Sequence, residues 1–351
     1  MKEPKILVTQ EILQLIAEVD EFKGQWKALT IVSSQRLSHL RKVATIESVG
    51  SSTRIEGAKL SDKQVETLLS NLRSTSFKTR DEQEVAGYAE TMDIVFQSYE
   101  DIPLTENHIR QLHQTLLRHS HKDERHRGNY KKIPNHVVAF DEHGKEMGII
   151  FETTTPFDTP REMEELVKWI NKAIEEKSLH PLLVIAVFTV VFLAIHPFQD
   201  GNGRLSRILT TLLLLKTGYI YVPYSSLESI VEDNKDLYYK ALRRTQTSLK
   251  KNDADWEPWI GFFLRCLKKQ KENLSAKVKK EETVKNELVS FPLLSVKILE
   301  LLEKHERLTI AEMVEYTGAN QNTLKVRLRE LVETGRIQRH GKGRATWYTM
   351  A

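Results

Sequence analysis

His196-Pro-Phe-Gln-Asp200-Gly-Asn-Gly-Arg204-Leu-Ser-Arg207 lies between two apolar helical segments, the first running from Leu182 to Ile195. Its residue types are those of a phosphate site. Gly201 and Gly203 let the backbone turn tightly and approach a ligand without interference from a Cβ. Their N–H groups and that of Asn202 fall at the start of a helix beginning near Arg204, where unpaired donors and the positive end of the helix dipole favour an anion. Arg204 and Arg207 are three residues apart, which places them on one helical face with two guanidinium groups for a polyphosphate. Asp200 supplies the carboxylate that Mg²⁺ takes from a protein when phosphates complete its shell. His196 ends the preceding helix and suits a general base near neutral pH.

Working outward, most of the chain has helical spacing. Ile12, Leu15, Ile16 and Val19 recur at the helical period, as do Ile109, Leu112, Leu116 and Leu117. Ser61 with Gln64 reads as a capping box, and Thr159, Pro160 and Glu162 read as another. One segment departs from this pattern. Val137 to Phe140 and Met147 to Phe151 flank the polar turn Asp141 to Glu146, which predicts a β-hairpin. With 351 residues the chain is long enough for about two domains. Its single cysteine, Cys266, excludes an internal disulfide and fits a reducing, cytoplasmic setting. The N-terminus has no signal-peptide core, and the Leu182–Ile195 run is shorter than the ~18–20 residues of a membrane span. No membrane association is expected.

The twelve-residue stretch resembles the Fic family motif, His-x-Phe-x-Asp/Glu-Gly-Asn-Gly-Arg-x-x-Arg, at every specified position. The resemblance extends from about Ile12 to Leu267: His108-Ile-Arg-Gln-Leu-His113 resembles an early helix of that family, and the 137–151 hairpin its flap. The fold class it implies is mainly α, a Fic-type helical domain with a β-hairpin flap. The implied activity is transfer of AMP from ATP to a Ser, Thr or Tyr hydroxyl of a target protein, with the chain itself among the candidate targets. In that reading His196 deprotonates the hydroxyl and Asp200 binds Mg²⁺. Gly201, Asn202 and Gly203 form the anion hole, and Arg204 and Arg207 grip the phosphates. Tyr238-Tyr239-Lys-Ala-Leu242 resembles the segment lining the adenine pocket, with Tyr239 the nearer contact, and Gln246 stands where the family often has asparagine. Another nucleotide or phosphodiester donor is compatible with the same residues.

Ser52-Thr-Arg-Ile-Glu56-Gly57 resembles the inhibitory motif of the same family, placed N-terminal to the catalytic motif. A carboxylate reaching Arg207 would neutralise the guanidinium that the ATP γ-phosphate needs and repel that phosphate. The same carboxylate opens the reverse reading, in which Glu56 activates water and AMP is removed from the target.

Beyond Leu267 the sequence becomes rich in Lys and Glu, as in a solvated helix or linker. Three short helices, Val296–Leu302, Thr309–Tyr316 and Asn320–Thr334, then precede a ribbon of Ile337–His340 and Ala345–Thr349, the pattern of a small winged helix-turn-helix domain. The expected divisions are an N-terminal helical region at 1–100 carrying the inhibitory helix, a catalytic domain at 101–266, a charged linker at 267–288 and the winged helix at 289–351. Between Gln321 and Arg344 there are seven Lys or Arg against two acids, +5, while the whole chain carries +4. Lys325, Arg327, Arg329, Lys342 and Arg344 are the candidate DNA contacts. A winged helix used for protein contacts or homodimer formation fits the same charge. From a different functional class, the chain reads as a DNA-binding regulator whose Fic domain senses ATP or modifies itself, although binding alone needs no base such as His196.

Overall fold

A helix apolar on every face must be surrounded, and the centre of this protein is such a helix. The fold is given by a computed structural model that describes residues 3–28, 34–71, 77–140, 146–249, 254–289 and 292–351. Helix α7 (Pro181–Ile195) starts with proline at its first position and His180 as its cap, the imidazole Nδ1 accepting from the Leu182 N–H. Thr189, the polar interruption, is buried and donates its hydroxyl to the Ile185 carbonyl. Helix α8 (Asn202–Lys216) packs back along α7 and is itself buried from Leu205 to Leu215. Each large aliphatic side chain removed from water here contributes roughly 1.5–3 kcal/mol of transfer free energy. That makes the α7–α8 pair a firm base for the loop between them.

The surrounding shell consists of α4 (Arg80–Ser98), α5 (Glu106–Leu116), α6 (Thr159–Glu176), α10 (Lys235–Leu249) and the first part of α11 (Glu257–Val289). Trp259 of α11 donates its indole N–H to the Ala186 carbonyl of α7. Helix α1 (Gln10–Ala28) buries Ile12, Leu15, Val19, Phe22 and Trp26, and Phe22 meets Tyr221 edge-on at 5.0 Å. Helix α2 (Ser34–Ile55) lies against α3 (Asp62–Ser70), α4, α8 and α9 (Leu227–Asp233). Its Arg54 makes two hydrogen bonds to Glu232, of 2.7 and 2.9 Å.

The Ser61–Gln64 capping box forms as the sequence predicts. The one expected at Thr159 does not. Asp158 precedes the helix without a side-chain cap, Thr159 donates to the Thr155 carbonyl, and Glu162 accepts from Thr154. The Thr155–Asp158 turn, with the Asp158 N–H bonded to the Thr155 hydroxyl, starts the helix one residue early. The hairpin is β1 (Val137–Phe140) and β2 (Glu146–Phe151), antiparallel, pairing Val138 with Ile149 and Phe140 with Glu146. The expected turn lies mostly at 141–145, outside the described residues.

The chain divides into two compact units, 1–274 and 275–351, the division falling inside α11. The segment expected as a linker or solvated helix is therefore helical, and the expected 1–100 and 101–266 regions lie together in the first unit. The second unit holds α12 (Leu293–Lys304), α13 (Ile310–Thr317) and α14 (Gln321–Glu333). Its three strands β3 (Leu308–Thr309), β4 (Ile337–His340) and β5 (Trp347–Met350) are ordered β3-β5-β4. Ile298, Leu302, Met313, Leu324, Leu328, Leu331 and Tyr348 fill its core. Among the described residues no helix is long and apolar enough to cross a membrane.

Candidate active site

The site is the loop joining α7 to α8. His196 closes α7 in a left-handed conformation, φ 53°, which aims its side chain out of the helix axis. Its Nδ1 lies 3.3 Å from the Leu193 carbonyl. A carbonyl only accepts, so Nδ1 carries the proton and Nε2 keeps a lone pair. Burial pushes the imidazole down to about 4, with the nearby Lys131 ammonium adding to the effect, so the ring is neutral at physiological pH.

Polar side chains fix the loop from both sides. Asn202 clips it: its Oδ1 accepts from the Phe198 N–H at 2.9 Å and its Nδ2 donates to the Phe198 carbonyl at 2.7 Å. Asn135 donates to the same carbonyl. His113 of α5 stacks on Phe198 with ring centres 3.8 Å apart, donates Nε2–H to the Asp200 carbonyl at 3.0 Å, and accepts the Gly128 N–H on Nδ1. Burial pushes His113 to about 4, in keeping with this neutral tautomer. Lys131 reaches the Ile195 carbonyl, Asn135 and Thr153, each at 2.8–2.9 Å, and so ties the end of α7 to the residues flanking the hairpin. Burial lowers its ammonium to about 8.

Gly201 caps α8 with φ 79°, a conformation that costs glycine least. Asp200 accepts from the Gly201 N–H at 2.6 Å, from Arg204 at 3.1 Å and from Lys122 at 2.7 Å. Burial would raise this carboxyl, but Arg204, Lys122 and the Gly201 N–H hold it well below the usual carboxylate range. Arg204 is 1% exposed and lies between Asp200 and Glu84, whose Oε2 is 3.2 Å away. The two arginines have different direct partners, Arg204 with Asp200 and Glu84 and Arg207 with Glu56, although the charge of both bears on the Glu56 carboxylate. A guanidinium and the carboxylate of Glu84, both buried, must neutralise one another, and they do.

Arg207 is held by α2. Its Nε donates to the Ser52 hydroxyl at 2.8 Å, and its Nη2 donates to the Ser52 carbonyl at 2.9 Å and to Glu56 Oε1 at 2.8 Å. Arg207 Nη1 is buried and has no hydrogen-bond partner among the described residues. Burial alone would raise the Glu56 carboxyl; Arg207 reverses this and holds it below its ordinary value, while Glu56 raises Arg207 against its own burial. Glu56 and Gly57 form the turn that ends α2, and the Glu56 carboxylate rests on Gly203, where a Cβ would collide with it. An anion thus already lies against the α8 N-terminus. Tyr239 of α10 directs its hydroxyl to the Ile55 carbonyl at 3.5 Å, beside the same turn, and Gln246 is buried further along α10.

The loop motif and the Ser52–Glu56 motif, 140 residues apart or more, meet at Arg207. Glu84, His113, Lys122, Lys131 and Asn135 belong to the site and were not singled out from the sequence. Glu84 sits in a run of charged residues, and Lys131 and Asn135 lie in a stretch without periodicity. Only the resemblance of 108–113 to a family helix pointed near His113.

In the second unit, α14 buries Leu324, Leu328 and Leu331 and exposes Lys325 and Arg329, while Arg327 pairs with Glu330 at 2.8 Å. Lys342 is exposed in the wing; the Arg344 side chain lies outside the described residues.

Comparison with known proteins finds similarities for both parts of the chain. Residues 103–214 match the Fic/DOC family and residues 294–338 match a winged helix-turn-helix DNA-binding family. The chain is 27% identical over 267 residues to the protein adenylyltransferase Fic of Drosophila persimilis, covering 74% of this chain and 47% of that protein. It is 26% identical over 267 residues to the Drosophila melanogaster protein of the same name, covering 74% and 49%. The chain thus spans about half the length of the curated relatives it matches. Among solved structures, a Fic family protein from Desulfovibrio desulfuricans superposes with a TM-score of 0.67 at 22% identity, covering 100% of this chain and 98% of that one. A Fic domain containing signaling protein from Bacteroides thetaiotaomicron gives 0.59 at 24% identity, covering 76% and 95%. The protein carries a Fic domain and a C-terminal winged helix domain.

Proposed function

From a Fic domain with its full motif, we propose that this chain is a nucleotidyltransferase that moves AMP from ATP to a hydroxyl side chain of a target protein. The observation that carries the reading is an anion cradle already holding an anion, with a neutral imidazole near that anion. The Glu56 carboxylate lies on Gly203 and Arg207, and His196 offers Nε2. In the reaction the target hydroxyl oxygen attacks the α-phosphorus. The bond from that phosphorus to the oxygen bridging to the β-phosphate breaks, pyrophosphate leaves, and the hydroxyl proton passes to His196 Nε2. The α8 N-terminus and Arg207 neutralise phosphate charge, and Arg204 holds Asp200 in place.

Among the described residues no group of three or more His, Cys, Asp or Glu side chains could hold a metal alone. A single ionised carboxylate, Asp200, whose Oδ2 already holds a cation in the form of the Lys122 ammonium, fits Mg²⁺ bound largely through nucleotide phosphates. Mg²⁺ bound there would supply further charge neutralisation on those phosphates.

Glu56 acts as a brake in this reading: it occupies the guanidinium that the γ-phosphate requires. The test is transfer of label from α-labelled ATP to protein in Mg²⁺. Glu56→Gly should label faster than the wild-type chain and His196→Ala should not label. Equal labelling by His196→Ala would remove His196 from the base role. Loss by Glu56→Gly of the power to strip AMP from a modified target would favour the reverse reaction. The winged helix is assigned to duplex DNA through the exposed Lys325 and Arg329 of α14 and Lys342 of the wing.

A further inference from the structure

Among the described residues three cations surround Asp200, and one of them stands apart. Arg204 is buried and shared with Glu84. Arg80 is shared with Glu84 as well, at 2.7 Å, and reaches Asp200 Oδ2 only at 3.8 Å. Lys122, in the short turn His121–Asp123 after α5, is half exposed, and its ammonium is 2.7 Å from Asp200 Oδ2. The other oxygen, Oδ1, is occupied by Arg204 and the Gly201 N–H. Oδ2 is therefore the oxygen on which a cation can be exchanged, and Lys122 sits on it.

We infer that Lys122 is a built-in stand-in for the divalent cation: its ammonium fills the cation position on Asp200 Oδ2 in the resting protein, and a metal ion enters by displacing it. The inference rests on Asp200 being the metal carboxylate. Three features favour exchange at this corner. A lysine ammonium is a compact point charge on a flexible stem, unlike the forked guanidinium of Arg204. Its half-exposed side chain can swing into water, where its charge is hydrated. Arg204 and Arg80 keep their other partner, Glu84, and so have less freedom to leave. Lys122 thereby sets a threshold: the metal must outcompete a charge-assisted hydrogen bond, so a bare cation binds weakly and one delivered with nucleotide phosphates binds well.

Two measurements on the full chain test this. Lysine reductive methylation followed by peptide mass spectrometry reads the freedom of Lys122 directly. Millimolar Mg²⁺ should speed labelling of Lys122, while NaCl of equal ionic strength should do so less. Asp200→Asn should label fast with or without Mg²⁺. Lys122 labelling indifferent to Mg²⁺ in the wild-type chain would overturn the inference. Binding of Mn²⁺, read from the free-ion EPR signal, should tighten about tenfold in Lys122→Gln, as expected on losing a competing charged hydrogen bond. Arg118→Gln, which removes a cation paired with Glu90 rather than Asp200, should leave it nearly unchanged. Equal tightening in both variants would mean that Lys122 acts only through the general field, and the displacement would be refuted. Lys122 freed by Mg²⁺ in a chain that transfers no AMP would sink the functional reading and leave this inference intact.

Discussion

Removing the Glu56 carboxylate should make the resting protein less stable and its grip on ATP tighter, both by the same contact. In the wild-type chain Arg207 has two bonds to Ser52 and one to Glu56. Glu56→Gly leaves a buried guanidinium with neutral partners only. A charged hydrogen bond of this kind contributes about 1.5–3 kcal/mol. The Glu56 side chain is 32% exposed against 8% for Arg207, which argues for the lower half of that range. The apo variant should therefore melt several degrees lower, at roughly 2–4 °C per kcal/mol for a unit of this size. ATP supplies the missing anion through its γ-phosphate, so productive ATP binding should gain roughly tenfold, toward a hundredfold at the upper end. ADP lacks that group and should gain much less. Glu56→Gln keeps an acceptor without the charge and should fall between. Calorimetric titration with ATP and with ADP, beside melting curves with and without each nucleotide, reads all of these. If the variant melts with the wild-type chain, or if ADP gains as much as ATP, Glu56 is an ordinary helix-end residue and the brake does not exist.

With His196 at about 4 in the folded chain, below its ordinary 6.5, the base stays neutral down to low pH. The acid limb of label transfer by Glu56→Gly should then lie well below 6.5, and a limb at or above 6.5 would refute the neutral-base account. The same depression in His196 and His113 means that the unfolded chain takes up protons that the folded one does not. Their contribution should be complete above 6.5 and lost as pH falls toward 4, which urea unfolding at several pH values would read. Glu232→Gln weakens the pair that holds the end of α2 to α9, and should raise label transfer a few-fold, with a stability loss of about 1 kcal/mol. An unchanged rate would show that other contacts hold α2. For the winged helix, anisotropy titrations of duplex DNA at two salt concentrations should show Lys325→Ala and Arg329→Ala each reducing the salt slope by about one. Arg327→Ala, already paired with Glu330, should do less, and no retention of DNA even at low salt would favour a protein partner.

The sequence alone determined the local chemistry. A dozen contiguous residues contained the imidazole, the carboxylate, the glycines and both arginines, because a helix–loop–helix phosphate site is built from neighbours. It also determined the buried α7, from an apolar run broken only by Thr189, and the winged helix, from three periodic segments and a basic ribbon. Ser52 and Glu56 were legible only as a motif. That the Glu56 carboxylate reaches Arg207 depends on α2 packing across α8, a contact spanning 151 residues of chain. The tertiary structure also decided which cations are free. From spacing, Arg204 and Arg207 were equivalent; in the fold Arg204 is committed to Glu84 and Asp200, because a buried guanidinium and a buried carboxylate cannot stay unpaired. Thr159 failed as a cap for a related reason: the turn from Thr155 to Asp158 satisfied the helix start first. Lys122 and Lys131 carried no sequence signal, and His113 only the resemblance of its helix, since each acts across the fold on a carbonyl or carboxylate whose position the chain's order does not encode.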